Sequence, residues 1–331
     1  MRNVILSFAA LMCGSLMMAQ FNQSDVNSVG NGNGSTVTQT GLTNNSDVDQ
    51  FGNSNDSEVS QNGTSNTSTM LQGFLSNDNI SSVSQSGVTN DSYVWQDGDT
   101  NTSDVDQTGN NNVSYMEQWG NSNTSDVDQL GDDNISTVFQ GYPNDNNFSR
   151  VLQQGDLNDS EVRQDGDGNF SVMFQVGNRN ESDVNQFGNG NSSTVVEVGN
   201  RNDSEVDQTG ISNYAYLVQD GNRNISDVDQ MGDLNYSAAF QTGNRDESTV
   251  SQNGILNFSY VTQDGNRHIS SVNQFGDNND SDVDQDGLQQ TSMVNQNGND
   301  NTSMVTQAGN DHNSMVNQVG NNNGSNVNQN N

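Results

Sequence analysis

Residues 180–212 read NESDVNQFGNG, NSSTVVEVGNR, NDSEVDQTGIS, three consecutive copies of one 11-residue unit, N-x-S-x-V-x-Q-x-G-x-x. The unit recurs 28 times from Asn22 to the C-terminus. Its glutamine position falls at Gln153, Gln164, Gln175 and Gln186, then at every eleventh residue to Gln329, with Glu197 the only substitution in that stretch. The serine position fails only at Ala215, and the apolar position is Val in most units, with Met70, Met116, Met173, Leu217 and Ala239 among the exceptions. A disordered tract has no reason to hold such a register.

Eleven residues nearly match three helical turns, so a right-handed helical coiled coil is the first reading to test. Three features reject it. Ser, Val and Gln alternate with variable residues at a period of two, the strand signature. Each unit has one reliably apolar position, and a glycine in every unit would weaken a helix by about 1 kcal/mol relative to alanine. The spacing therefore predicts one strand per unit, with Ser, Val and Gln on one side, and a corner made by Gly and its two followers.

A lone strand cannot bury that side, so two units must face each other in a 22-residue coil, and coils must stack. The expected fold is all-β: an amyloid-like β-solenoid of about 14 two-strand coils, with two facing parallel sheets. The variable positions give the same 22-residue period independently. Arg179, Arg201, Arg223, Arg245 and Arg267 form one outer row, as do Phe148, Phe170, Tyr214 and Tyr236. The expected core ladder includes Ser46, Val48 and Gln50, Ser182, Val184 and Gln186, Ser204, Val206 and Gln208, Ser226, Val228 and Gln230, then Gln252 and Gln274. Gly52, Gly188, Gly210 and Gly232 are expected at turns. Stacked amides can hydrogen-bond along the ladder, while a buried amide without a partner costs about 1 to 3 kcal/mol. Two-residue insertions near 73–78 and 141–146, the second holding Pro143, are expected as bulged corners, since proline cannot donate to a ladder.

The chain of 331 residues is only 28% hydrophobic and carries a formal net charge of −34, a composition that without the repeat would read as disorder. Residues 1–19 differ: Arg2 precedes an apolar run from Val4 to Ala19, which reads as a signal peptide with a mature start near Gln20. The remainder, 20–331, is the repeat solenoid. Cys13 is the sole cysteine, so no disulfide staples the mature chain, and no later apolar stretch could span a membrane. The repeat starts at Asn22 to Val26 and still holds at Asn323 to Gln329, leaving no capping unit visible and both ends open to head-to-tail addition of further copies.

Repeated N-x-S-x-V-x-Q-x-G resembles the curlin repeat of bacterial curli subunits, with Gln, Gly and Asn at the same mutual spacings over the whole mature chain. The resemblance implies a secreted subunit of an extracellular amyloid fibre on the bacterial surface, serving biofilm matrix and adhesion. It further implies export through an outer-membrane secretion pore, periplasmic chaperones and a nucleator.

Acidic ladders that include Asp183, Glu205 and Asp227 would set like charges about 4.8 Å apart, so calcium or another divalent cation could relieve them; no other cofactor is expected. The arginine row precedes acidic residues, as in Arg179 before Glu181 and Asp183, and local charge compensation is its simplest reading; a matrix polysaccharide is the sharper one. Outward Trp95, Trp119, Phe174, Tyr216, Phe240 and Tyr260 would leave aromatic surface for fibre packing or adhesion. His268 and His312 read as corner residues without the usual neighbouring metal ligands. No acid, base or nucleophile converges outside the repeat, so an enzyme is not expected, nor is a nucleic-acid partner. An ice-binding or other non-polymerising extracellular β-solenoid adhesin is the alternative function.

Overall fold

The structure is a computed structural model that describes residues 21–141 and 145–330. The expected signal peptide and Pro143 lie outside the described residues. Within them each repeat unit forms one strand, from β1 (Gln23–Asn31) and β2 (Gly34–Leu42) to β27 (Asn313–Val319) and β28 (Gly324–Asn330). Odd-numbered strands make one 14-stranded parallel sheet and even-numbered strands another, each strand pairing with the one two places on. The molecule is a β-solenoid of 14 coils.

Identical positions lie over one another. Ser182 pairs with Ser204 and then Ser226, Val184 with Val206 and Val228, Gln186 with Gln208 and Gln230. This register is a consequence of period-two alternation: a slip by one residue would turn every Ser, Val and Gln outward. Between the sheets the valines form a continuous core, with Val48, Val184, Val206 and Val228 wholly buried. Each such burial contributes about 1.5–3 kcal/mol, and the backbone ladders add directional order.

Two residues with positive φ make each corner possible. The turn glycine is one; the residue two places on is the other, and it is usually not glycine, as at Arg201 (φ 61°) and Ser212 (φ 58°). Its N–H continues the ladder around the bend, as where Arg201 donates to the Asn178 carbonyl at 3.0 Å. The first insertion is absorbed in β5 (Thr67–Asn77), where the register slips so that Ser76 lies opposite Gly52 and Asn77 opposite Asn53. Gly98 N–H then donates to the Ser76 hydroxyl at 3.1 Å, while Gln72 keeps its place between Gln50 and Gln96.

Candidate functional site: ladders, outer faces and open ends

The glutamines join both sheets at once. Gln186 Nε2 donates to Gln208 Oε1 at 2.8 Å, Gln208 to Gln230 at 2.8 Å, Gln230 to Gln252 at 2.9 Å and Gln252 to Gln274 at 2.8 Å. The same Nε2 also reaches across to the facing sheet, as from Gln208 to the Ser192 carbonyl at 3.1 Å and from Gln230 to the Tyr214 carbonyl at 3.0 Å. Asparagine does comparable work at the corner. Asn213 Oδ1 accepts from the Asn235 N–H at 3.0 Å, and Asn213 Nδ2 donates to the Gly232 carbonyl at 2.7 Å. Serine is less uniform: the buried hydroxyls of Ser46 and Ser226 make no hydrogen bond, whereas Ser182 Oγ accepts from Gln175 Nε2 at 3.1 Å.

Breaks in the ladder show what continuity supplies. Gln50 Oε1 and Gln219 Oε1 are buried without a donor, and each follows a unit that lacks the amide, Ser28 and Glu197 respectively. Burial pushes the fully enclosed Glu197 carboxyl up to about 8, against the opposing hydrogen bonds of Ser204, Ser182 and Gln175. At the asparagine position Asp246 is likewise buried and raised to about 7. His268 stands in the next coil of that same row. Its Nδ1 accepts from the Gln290 N–H at 3.3 Å and Nε2 faces the Asp264 carbonyl at 3.3 Å, the two roles an asparagine amide would fill. The corner reading of His268 therefore needs refinement: the residue is at a corner but wholly buried, and desolvation lowers its pKa.

The outer faces carry contrasting chemistry. On the odd sheet Tyr93, Trp95, Tyr115 and Phe139 precede Glu161, Asp183, Glu205 and Asp227; on the even sheet Asp104 and Asp126 precede Phe174, Tyr216, Phe240 and Tyr260. Both changeovers hold an arginine. Arg150 pairs with Asp126 (3.3 Å) and Asp128 (3.5 Å) of the preceding coil, and Arg163 lies over the rings of Phe139 and Phe187 at 5.5 and 5.3 Å while pairing with Asp165. The aromatics meet along the rows, Tyr214 stacked on Tyr236 at 5.1 Å and Phe240 tilted against Tyr260 at 5.4 Å. Consequently Trp95, Trp119, Phe174, Tyr216, Phe240 and Tyr260 are only half-exposed, less open than their outward position implies.

Burial, then repulsion from Glu161 and Glu181, raises Asp183 to about 6, and burial followed by Asp128 does the same for Asp126. A carboxyl raised in the folded state opposes folding once charged. That penalty is absent below the ordinary carboxylate range and is fully developed above about pH 6. Asp183→Asn is therefore expected to raise the melting temperature at pH 7.5 and leave it nearly unchanged at pH 3, below the ordinary value of 3.8, and an equal shift at both pH values would contradict this. No three His, Cys, Asp or Glu side chains gather to hold a metal among the described residues.

The five-arginine row lines a groove along one edge of the rod. The expected local compensation is not formed: the ion pairs among the described residues belong to Arg150 and Arg163. The end coils are more open still. Every residue of β1 is exposed, Val26 by 45%, and along β28 the burial alternates only between exposed and half-buried.

In-register ladders of like side chains define a repeat protein of the stacked β-solenoid class. The sequence profile of the Curlin associated repeat matches residues 77–109, 101–131, 158–188, 199–230, 257–287 and 276–309, more than half of the chain together. The chain belongs to the curlin-repeat family. No curated protein matches it.

Proposed function

We propose that this protein is a secreted structural subunit that polymerises head to tail into an extracellular curli-like amyloid fibre of the biofilm matrix. The observation that carries this reading is the complementarity of the two end coils. Stacking β1 and β2 of one copy on β27 and β28 of another repeats the register found inside the rod, placing Val26 over Val316 and Val37 over Val327. In the even sheet Gln307 Nε2 donates to Gln329 Oε1 at 2.8 Å and Gln39 to Gln61 at 2.8 Å, so Gln329 can donate onward to Gln39 of the next copy with unchanged polarity. Charge favours the same junction. The outward strand positions of the last coil hold Met315, Asn317, Asn326 and Asn328, free of the carboxylates that would repel an incoming copy. Such a fibre needs no refolding of the subunit.

Membership of the curlin-repeat family supports an extracellular setting, and a secretion pore, chaperones and a nucleator are the partners it brings. No described helix is long and apolar enough to cross a membrane. Purified chain is expected to form fibres with a cross-β repeat of about 4.8 Å. Val327→Lys, which places a charge in the last coil's core row, should slow elongation at least tenfold with far-UV circular dichroism of the monomer unchanged. A parent chain that stays monomeric at high concentration, or a variant that elongates at the parent rate, would sink the proposal.

A further inference from the structure

Five of the chain's eight basic residues, Arg179, Arg201, Arg223, Arg245 and Arg267, occupy one row of corners on a protein of net charge −34. Each adopts positive φ, between 59° and 63°, a conformation that disfavours a long side chain relative to Gly or Asn. Their backbones are fixed by the ladder: Arg223 N–H donates to the Asn200 carbonyl at 3.0 Å and Arg245 N–H to the Asn222 carbonyl at 3.1 Å. Neighbouring guanidiniums about one strand spacing apart repel by roughly 1 kcal/mol per pair even in water.

No ion pair among the described residues offsets this. Glu181, Asp203 and Glu247, two residues beyond Arg179, Arg201 and Arg245, make no ion pair within 4.0 Å with them. The shifts of Asp203 and Asp183 have the same implication: burial and neighbouring carboxylates raise both, with no arginine among the causes.

We infer that this groove binds an extended polyuronate, a polysaccharide with a carboxylate on each sugar. The guanidinium fork matches a carboxylate, and a rigid row of such forks suits a linear polymer. Beside the arginines runs a second row, Asn200 to Asn222 to Asn244 to Asn266, whose side-chain amides hydrogen-bond to one another at 2.9–3.0 Å and present polar edges suited to sugar hydroxyls. A single-stranded nucleic acid would want aromatic platforms for its bases, and no aromatic residue lines the groove. The matrix setting rests on the proposed function, but binding belongs to the solenoid itself and is read whether or not fibres form.

The test uses the full mature chain at low salt with three probes: polygalacturonate, uncharged dextran and oligothymidylate. Polygalacturonate is expected to bind at least tenfold tighter than either other probe and to weaken as salt is raised. The triple variant R201Q/R223Q/R245Q should lose at least tenfold in polygalacturonate affinity while it still forms fibres and melts no lower than the parent, since the repulsion within the row is relieved. Equal binding by variant and parent would overturn the inference, as would tighter binding of oligothymidylate. Failure of the parent to form fibres while still binding polygalacturonate would instead remove only the polymer reading.

Discussion

Glu197→Gln is expected to stabilise the solenoid strongly at pH 9 and hardly at all at pH 4. Glu197 is the one carboxylate in the even sheet's amide ladder. Gln175 Nε2 donates to its Oε2 at 3.1 Å, but Gln219 Oε1 in the next coil receives nothing. A protonated carboxyl can donate its O–H there and complete the row; a carboxylate cannot, and it leaves a buried charge without a cation partner. The sign follows from the direction of the shift. Folding raises this pKa from 4.5 to about 8, so the folded state holds a proton that the unfolded chain releases. Stability is fully present below about pH 4.5 and declines until about pH 8, by a total on the order of 4–5 kcal/mol. Glutamine removes the decline and supplies the missing donor at every pH. Chemical unfolding and amide exchange of the neighbouring strands, measured from pH 4 to 9 in both proteins, isolate this group because the outer-face carboxylates cancel in the difference. Parallel profiles for parent and variant would refute the account.

The second large effect concerns the turn. Gly210 has φ of 129°, and a Cβ placed there would lie 1.9 Å from the Gly232 carbonyl oxygen in the next coil. Neither backbone can retreat, because the Asn191 Nδ2 donates to the Gly210 carbonyl at 3.1 Å and the Asn213 Nδ2 to that of Gly232 at 2.7 Å. Gly210→Ala should therefore destabilise by more than about 4 kcal/mol and open the strands on either side. Gly168→Ala is the control. There φ is 65° and nothing lies within 4 Å of the added methyl, so left-handed strain alone, about 1–2 kcal/mol, should appear. Equal losses in the two variants would show that close stacking at Gly210 is not what demands glycine.

Much of this fold is legible in the sequence because the architecture stacks each residue on its own kind. Ser204 over Ser182 and Gln208 over Gln186 follow from a period that holds unbroken from Gln153 to Gln329, and the 22-residue repeat of the arginines reports the coil without any structure. Other features depend on geometry that spacing does not encode. Glu197 reads as a tolerated variant until its enclosure shows a carboxyl filling an amide's place. His268 imitates asparagine only because its two ring nitrogens meet the backbone as an amide's oxygen and nitrogen would. Arg179 stands two residues from Glu181, a separation that suggests pairing, yet no ion pair joins the left-handed corner to the strand that follows. The exchange of acidic and aromatic character near the second insertion is written in the sequence, but the part played by Arg150 and Arg163 emerges only from their contacts.

That exchange would give the proposed head-to-tail filament a banded exterior. In the middle coils aromatics on one broad side face away from carboxylates on the other, and near the second insertion the two trade places. A filament lying on a waxy support would grip it in patches a few coils long and be held off between them. Two such filaments lying side by side would match their greasy patches only when staggered or turned over, so bundle spacing should record the length of a single molecule.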